Sequence, residues 1–445
     1  MAPGAVLAIL MVGAQAISPS TAPDARCQPG ADCRLALTAA QMFELADRLV
    51  ARGQAAEAEA VLEALTRDAS VDVRSEARFR IGLMRERRRD WDGAARAFRM
   101  ILEEKPAAGP VRLELARVLA AKGDEDGARR QLRLASSAGL PDDVSRIVNQ
   151  FEGALRSRKR LGGSVEFGFA PDNNINRAQK RSVVEVGTLP VELDKDARAQ
   201  SGIGLTIGGQ AYWRPSVGGD TSLLVTLSGR GDLYRKSRFD DVSTALSAGP
   251  ELQWGSSRFR VAGVIGRRWF GGSRYSRSHG ASLNWLRPLD PRSQLQLDVS
   301  AIRSNYRINP ALSGLTTSVL VHYERALSPR LFGRLSLRAT RQEARDPAFA
   351  TWSTGGELLL AREAGPLTLY GRAGYDNIWA DARFSFPPVR RRDRQLDLEA
   401  GAALRRFSLW GLAPVLRIRW TKNHSPVFFY DFDRTRLEFG FTREF

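Results

Sequence analysis

Three histidines, His279, His322 and His424, and two cysteines, Cys27 and Cys33, are all that this 445-residue chain offers for soft-metal or thiol chemistry. The histidines are scattered, and no Ser, His and acid fall at a spacing that argues for a nucleophilic relay. Cys27 and Cys33 enclose five residues. In an oxidising compartment a small local disulfide is expected; the alternative is two free thiols in a leader. Neither thiol has a neighbouring base to activate it. No G-x-x-x-x-G-K-[ST] loop occurs, so no nucleotide site is expected. We therefore expect no enzyme, no metal and no cofactor. The charge is +18, from 60 Arg and 7 Lys against 49 acids. The acids are spread among the bases, so no basic block tracks a nucleic-acid backbone, and no nucleic-acid partner is expected. What recurs instead is alternation. Arg334 and Arg338 flank Leu335 and Leu337; Arg417 and Arg419 alternate with Leu416, Ile418 and Trp420; Glu399 and Glu438 sit in the same pattern. Charged groups on one face and apolar groups on the other describe a two-faced strand.

The elements that carry these residues divide the chain into segments. Val6 to Ala16 is apolar and ends in Ala14-Gln15-Ala16, a small-x-small cleavage pattern, so residues 1–16 are expected to be an export signal, although no Lys or Arg precedes them. Residues 17–37 form a linker; Asp24-Ala25-Arg26 before Cys27 is no lipid-attachment box. Residues 38–160 have a period near 3.6. Small residues Ala58, Ala94 and Ala128 recur at spacings of 36 and 34, each after a Gly- and Asp-bearing turn, and Pro106 and Pro141 close the units. That spacing predicts an all-α tetratricopeptide-like domain of three repeats and a final helix from Pro141 to about Arg158. Its concave surface suits an extended peptide or a partner protein; a mere spacer is the alternative.

From Leu161 the period becomes two. Fourteen such segments run to Phe445, near 161–170, 200–214, 220–234, 241–254, 258–270, 277–288, 292–306, 314–327, 330–343, 351–363, 366–378, 393–407, 411–423 and 432–445. A soluble sandwich alternates too, but here short turns such as Gly255–Ser257 and Ser328–Pro329 alternate with longer connections at 171–199, 235–240, 271–276, 307–313, 344–350, 379–392 and 424–431. Aromatic residues gather at segment ends, among them Trp213, Trp254, Trp269 and Trp420. This predicts a 14-stranded antiparallel transmembrane β-barrel over residues 161–445, in the outer membrane of a Gram-negative bacterium. A mid-depth Arg on the lipid face would cost about 2–4 kcal/mol, so Arg334, Arg338, Arg417, Arg419, Glu399 and Glu438 must face the lumen. Gly440 and the terminal Phe445 resemble the C-terminal signal by which barrel-assembly machinery recognises clients; that machinery and outer-membrane lipid are expected partners. With the helical segment in the periplasm, the 171–199 loop lies outside, and the basic run Arg390-Arg391-Arg392 faces lipopolysaccharide.

At the junction the chain reads Gly162-Gly163-Ser164-Val165-Glu166-Phe167-Gly168-Phe169-Ala170-Pro171-Asp172-Asn173-Asn174-Ile175-Asn176-Arg177. A first strand running into this Asp/Asn loop resembles the surface lipoprotein assembly modulator (Slam) family, over about residues 39–445. The resemblance implies a periplasmic repeat domain that engages an exported client, generally a lipoprotein, and a barrel that delivers it to the cell surface. It singles out Asp172, Asn173, Asn174, Asn176 and Arg177 as a family motif without assigning a role. Asx side chains at a strand end also stabilise turns. The competing readings are an exopolysaccharide exporter with a repeat scaffold and a passive porin.

Overall fold

The computed structural model describes residues 37–137, 160–186, 189–219, 221–404 and 412–444. The export signal, Cys27 and Cys33, the helix expected at 141–158 and Phe445 lie outside the described residues. Six helices come first: α1 (Ala39–Ala51), α2 (Ala55–Leu65), α3 (Val71–Arg87), α4 (Trp91–Glu104), α5 (Gly109–Lys122) and α6 (Glu125–Ser136). Their starts are written in the sequence. Thr38 and Gln41 cap α1 reciprocally, the Gln41 amide donating to Thr38 Oγ1 at 3.3 Å and the Thr38 amide to Gln41 Oε1 at 2.9 Å. Asp90 and Asp124 accept from the amides of Gly93 and Gly127, at 2.9 and 2.6 Å, and so begin α4 and α6. Gly123, at φ +95°, ends α5.

Helices α3 to α6 pack around Phe98, Ile101, Leu115 and Leu132, all fully or almost fully buried. Phe98 reaches the backbone of α3 because Gly82 leaves room. A Cβ at Gly82 would stand 2.6 Å from the Phe98 ring.

The barrel strands are β1 (Leu161–Asp172), β2 (Gly202–Trp213), β3 (Thr221–Tyr234), β4 (Asp241–Trp254), β5 (Ser257–Phe270), β6 (Ser273–Asp290), β7 (Ser293–Tyr306), β8 (Gly314–Ser328), β9 (Leu331–Gln342), β10 (Thr351–Ala364), β11 (Leu367–Arg383), β12 (Arg390–Leu404), β13 (Ala413–His424) and β14 (Phe432–Glu444). Each pairs antiparallel with the next, and β1 also pairs with β14, so the sheet closes. This is the 14-stranded antiparallel architecture expected from the alternation. Leu246 and Ile265, Leu335 and Leu358, and Ile418 and Leu437 stand opposite one another and are all exposed. They form an apolar outer band on a wall whose strands all pair with both neighbours, which is what a bilayer demands. Among the described residues no helix is long and apolar enough to cross a membrane.

Two connections differ from expectation. The supposed loop 271–276 is a two-residue turn, Gly271-Gly272, at φ +56° and +75°; two positive-φ glycines allow the tight hairpin that alternation alone does not reveal. Likewise β11 and β12 extend into 379–392. Arg390, Arg391 and Arg392 are therefore not a loose basic loop. They open β12, where the Arg391 guanidinium lies 3.7 Å from the Tyr430 ring centroid and pairs with buried Asp393 at 2.7 Å. Beside them, Phe384, Ala348 and Val427 form a small rim core with Phe349, Val389 and Tyr430.

Candidate functional site

Three features of the barrel region combine charge, burial and position. The first is at the short-turn end. Helix α6 is polar, Glu-Asp-Gly-Ala-Arg-Arg-Gln-Leu-Arg-Leu-Ala-Ser, yet Arg129, Gln131, Arg133 and Ser136 are buried. The barrel buries them. At one end of α6, Glu125 accepts from Arg214, just after β2, at 2.5 Å and from Arg258 of β5 at 3.1 Å. Burial alone would raise this carboxyl; Arg214, Arg129 and Arg258 outweigh it and hold it at about 2. At the other end, Arg133 donates to Gln294 of β7 at 2.6 Å and to Glu324 of β8 at 2.9 Å, while Arg292 donates to the Ser136 carbonyl at 3.2 Å. Gln131 and the fully buried Arg112 of α5 both bond Glu363 of β10, at 3.0 and 3.1 Å, and Arg112 also reaches the Pro329 carbonyl in the β8–β9 turn. The strands touched, β2, β5, β7, β8 and β10, fall within one continuous run of nine in the 14-membered ring. Helix α6 thus packs on the short-turn mouth. Buried charges tolerate no loose fit, because an unpaired partner costs several kcal/mol.

The second feature is the lumen. A cavity of about 870 Å³ is lined by Arg338, Glu399, Arg417, Arg419 and Glu438, with Arg177 of the first long connection beside them. Those on the strands are paired. Arg338 meets Asp376 at 2.5 Å, Arg419 meets Glu399 at 2.6 Å, and Arg417 bridges Glu166 at 2.5 Å and Glu438 at 3.0 Å. Arg334 lies elsewhere and bonds Glu324, so it supports the α6 dock.

The third feature is the junction motif. Asp172 pairs with Arg434 of β14, its Oδ2 accepting from Nε at 2.8 Å. Asn173 exchanges two bonds with Thr435, through its amide at 3.2 Å and its side-chain oxygen at 2.8 Å. Fully buried Asn174 donates to the carbonyls of Ala178 and Asp433, each at 2.8 Å. Asn176 turns the connection back through Arg198 and Gln200. Arg177 takes φ +50° at the top of this turn. The Asx residues thus join β1 to β14, and Gly440 lies opposite Gly168 in the same pair of strands.

The histidines form no relay. His322 Nδ1 lies 2.8 Å from Ser336 Oγ, but its Nε2 is 3.9 Å from Asp298, too far for a hydrogen bond to orient the ring. Among the described residues no His, Cys, Asp or Glu cluster is set to hold a metal ion. The sequence reading missed Arg112, Glu125, Gln131 and Arg133. For the last three the one signal is a helix, α6, too polar for the burial its small residues imply.

A family model described as surface lipoprotein assembly modifier matches residues 162–445, the whole barrel. The chain is also similar to Surface lipoprotein assembly modifier 1 of Neisseria meningitidis, 24% identical over 78% of this chain and 71% of that one. Its counterpart in Haemophilus influenzae is 21% identical over 79% and 74%. The Hemophilin secretion modulator of Acinetobacter baumannii is 23% identical over 79% and 75%. An outer-membrane barrel of fourteen strands, helices ahead of it and a match across the entire barrel agree: the chain belongs to the surface lipoprotein assembly modifier family.

Proposed function

We propose that this chain receives an exported lipoprotein on its helical segment, in the periplasm, and assists its delivery to the cell surface at the barrel. Family membership gives the coarser statement, a role in lipoprotein surface assembly at an outer-membrane barrel. The observation that carries the finer one is the dock of α6 on the short-turn mouth. A helical segment tied to the barrel by Glu125, Arg133 and Arg112 is positioned to pass on what it holds. A passive porin would gain nothing from a helix packed on its mouth. The tetratricopeptide-like groove is the proposed binding surface, barrel-assembly machinery the proposed insertion partner, and the charged lumen a solvated wall. Two experiments test this. Cells lacking the chain are shaved with protease, and at least one surface lipoprotein is expected to disappear from the shaved fraction; an unchanged set sinks the proposal. A photocrosslinker in α3 or α5 is then expected to capture one exported protein bearing a lipidated cysteine.

A further inference from the structure

The pairing of β1 with β14 differs from that of β1 with β2. Against β2 the ladder is continuous from Leu161 opposite Trp213 to Asp172 opposite Gly202. Against β14 it runs from Ser164 opposite Glu444 to Phe169 opposite Phe439, lapses at Ala170 and Pro171, and returns at Asp172 opposite Arg436. Pro171 has no N–H to give a ladder. Within the paired stretch, Gly168 faces Gly440, and a Cβ at Gly168 would stand 2.7 Å from the Gly440 Cα. At that step no side chains interlock; the pair next to it, Phe167 opposite Phe441 with ring centroids 5.7 Å apart, is an aromatic contact on the wall.

Two straps hold this seam. At the loop end Asp172, Asn173 and Asn174 grip Arg434, Thr435 and Asp433. On the lumen side Arg417 of β13 reaches over β14 to Glu166 of β1. On the outer wall Phe167, Phe169, Leu437 and Phe439 are exposed along both seam strands. The seam thus has side-chain fasteners where it lacks ladder bonds, and an apolar outer lip.

A lipidated client poses a physical problem for a route through the lumen. An acyl chain kept out of hydrocarbon is penalised in proportion to its length, and the lumen is lined by Arg, Asp and Glu. The short-turn mouth, moreover, carries α6 packed on it. We propose that the β1–β14 seam is the place in the wall that admits the acyl anchor of a lipoprotein, with Asp172, Asn173 and Asn174 as its latch. This inference rests on the lipoprotein reading above.

The test uses the full chain in phospholipid vesicles. The probe is a synthetic triacylated N-terminal cysteine peptide carrying a diazirine in one acyl chain, with adducts mapped by mass spectrometry. Adducts are expected on 163–170 and 436–442 in excess of those on β7 and β8. A disulfide from Phe167→Cys with Phe441→Cys, a directly opposite pair, is expected to abolish the excess, and reduction to restore it. A control disulfide from Val299→Cys with Val319→Cys, opposite one another in β7 and β8, is expected to leave it unchanged. Adducts spread evenly around the wall, or an excess that survives the oxidised seam disulfide, overturn the proposal. Asp172→Ala, which opens the latch without blocking the seam, is expected to increase the adducts; a decrease, with the barrel still folded by gel mobility, also overturns it. Loss of the lipoprotein reading is scored separately, by the shaving experiment, so the two fail independently.

Discussion

Glu125 is a single carboxylate shared by Arg214, Arg258 and Arg129. Glu125→Gln removes the charge and strands the arginines, at a cost of roughly 3–5 kcal/mol to the docked state. Hydrogen exchange should show the α6 amides losing protection while those of β10 and β11 keep it. The pH dependence has a definite sign. The folded pKa of about 2 lies below the unfolded carboxyl value, near 4.3. Its contribution is therefore complete above about pH 4.3 and is lost as pH falls toward 2. Docking should be flat from pH 5 to 8 and weaken only in strong acid, a profile read from α6 exchange across that range.

At the scale of elements, the starts of α1, α3, α4 and α6 each depend on a capping side chain. Asp124 caps α6 through the Gly127 amide. Asp124→Ala should cost about 1 kcal/mol, felt as fraying of α6 next to Glu125. The α3–α4 contact depends on the absence of one. Gly82→Ala places a methyl 2.6 Å from the Phe98 ring and should destabilise the helices by roughly 1–3 kcal/mol. A thermal melt should then show the helical signal leaving earlier, with the β signal unmoved. The strands need no such local signals. Their alternation was legible at residues such as Leu416 to Trp420, because one face meets lipid and the other the lumen. The hairpin at Gly271-Gly272 was not legible as a turn, since alternation continues on both sides of it and only backbone φ separates a turn from a loop.

For the molecule as a whole, a helix packed on the mouth is expected to limit what the lumen conducts. With α6 docked, single-channel conductance in planar bilayers should be small. Glu125→Gln combined with Arg133→Ala should raise it and make it fluctuate, because both ends of α6 are released. Equal conductance in the two proteins would mean that α6 does not obstruct the pore.

Sequence was sufficient for everything that depends on local period. The switch from 3.6 to 2 at Leu161 separated helices from strands. The charged faces of Arg338, Glu399 and Arg417 followed from the cost of placing them in lipid, and the Asp172–Asn176 run carried the family resemblance. Contacts between residues far apart in the chain required the folded molecule. Arg112 lies 251 positions from Glu363, and Asp172 lies 262 from Arg434. No spacing rule links either pair: Arg112 meets Glu363 only where the helices pack on the barrel mouth, and Asp172 meets Arg434 only where a ring of fourteen strands closes and brings its first strand beside its last. That closure turned a run of Asx residues into a clasp, and the barrel mouth turned a polar helix into a buried one.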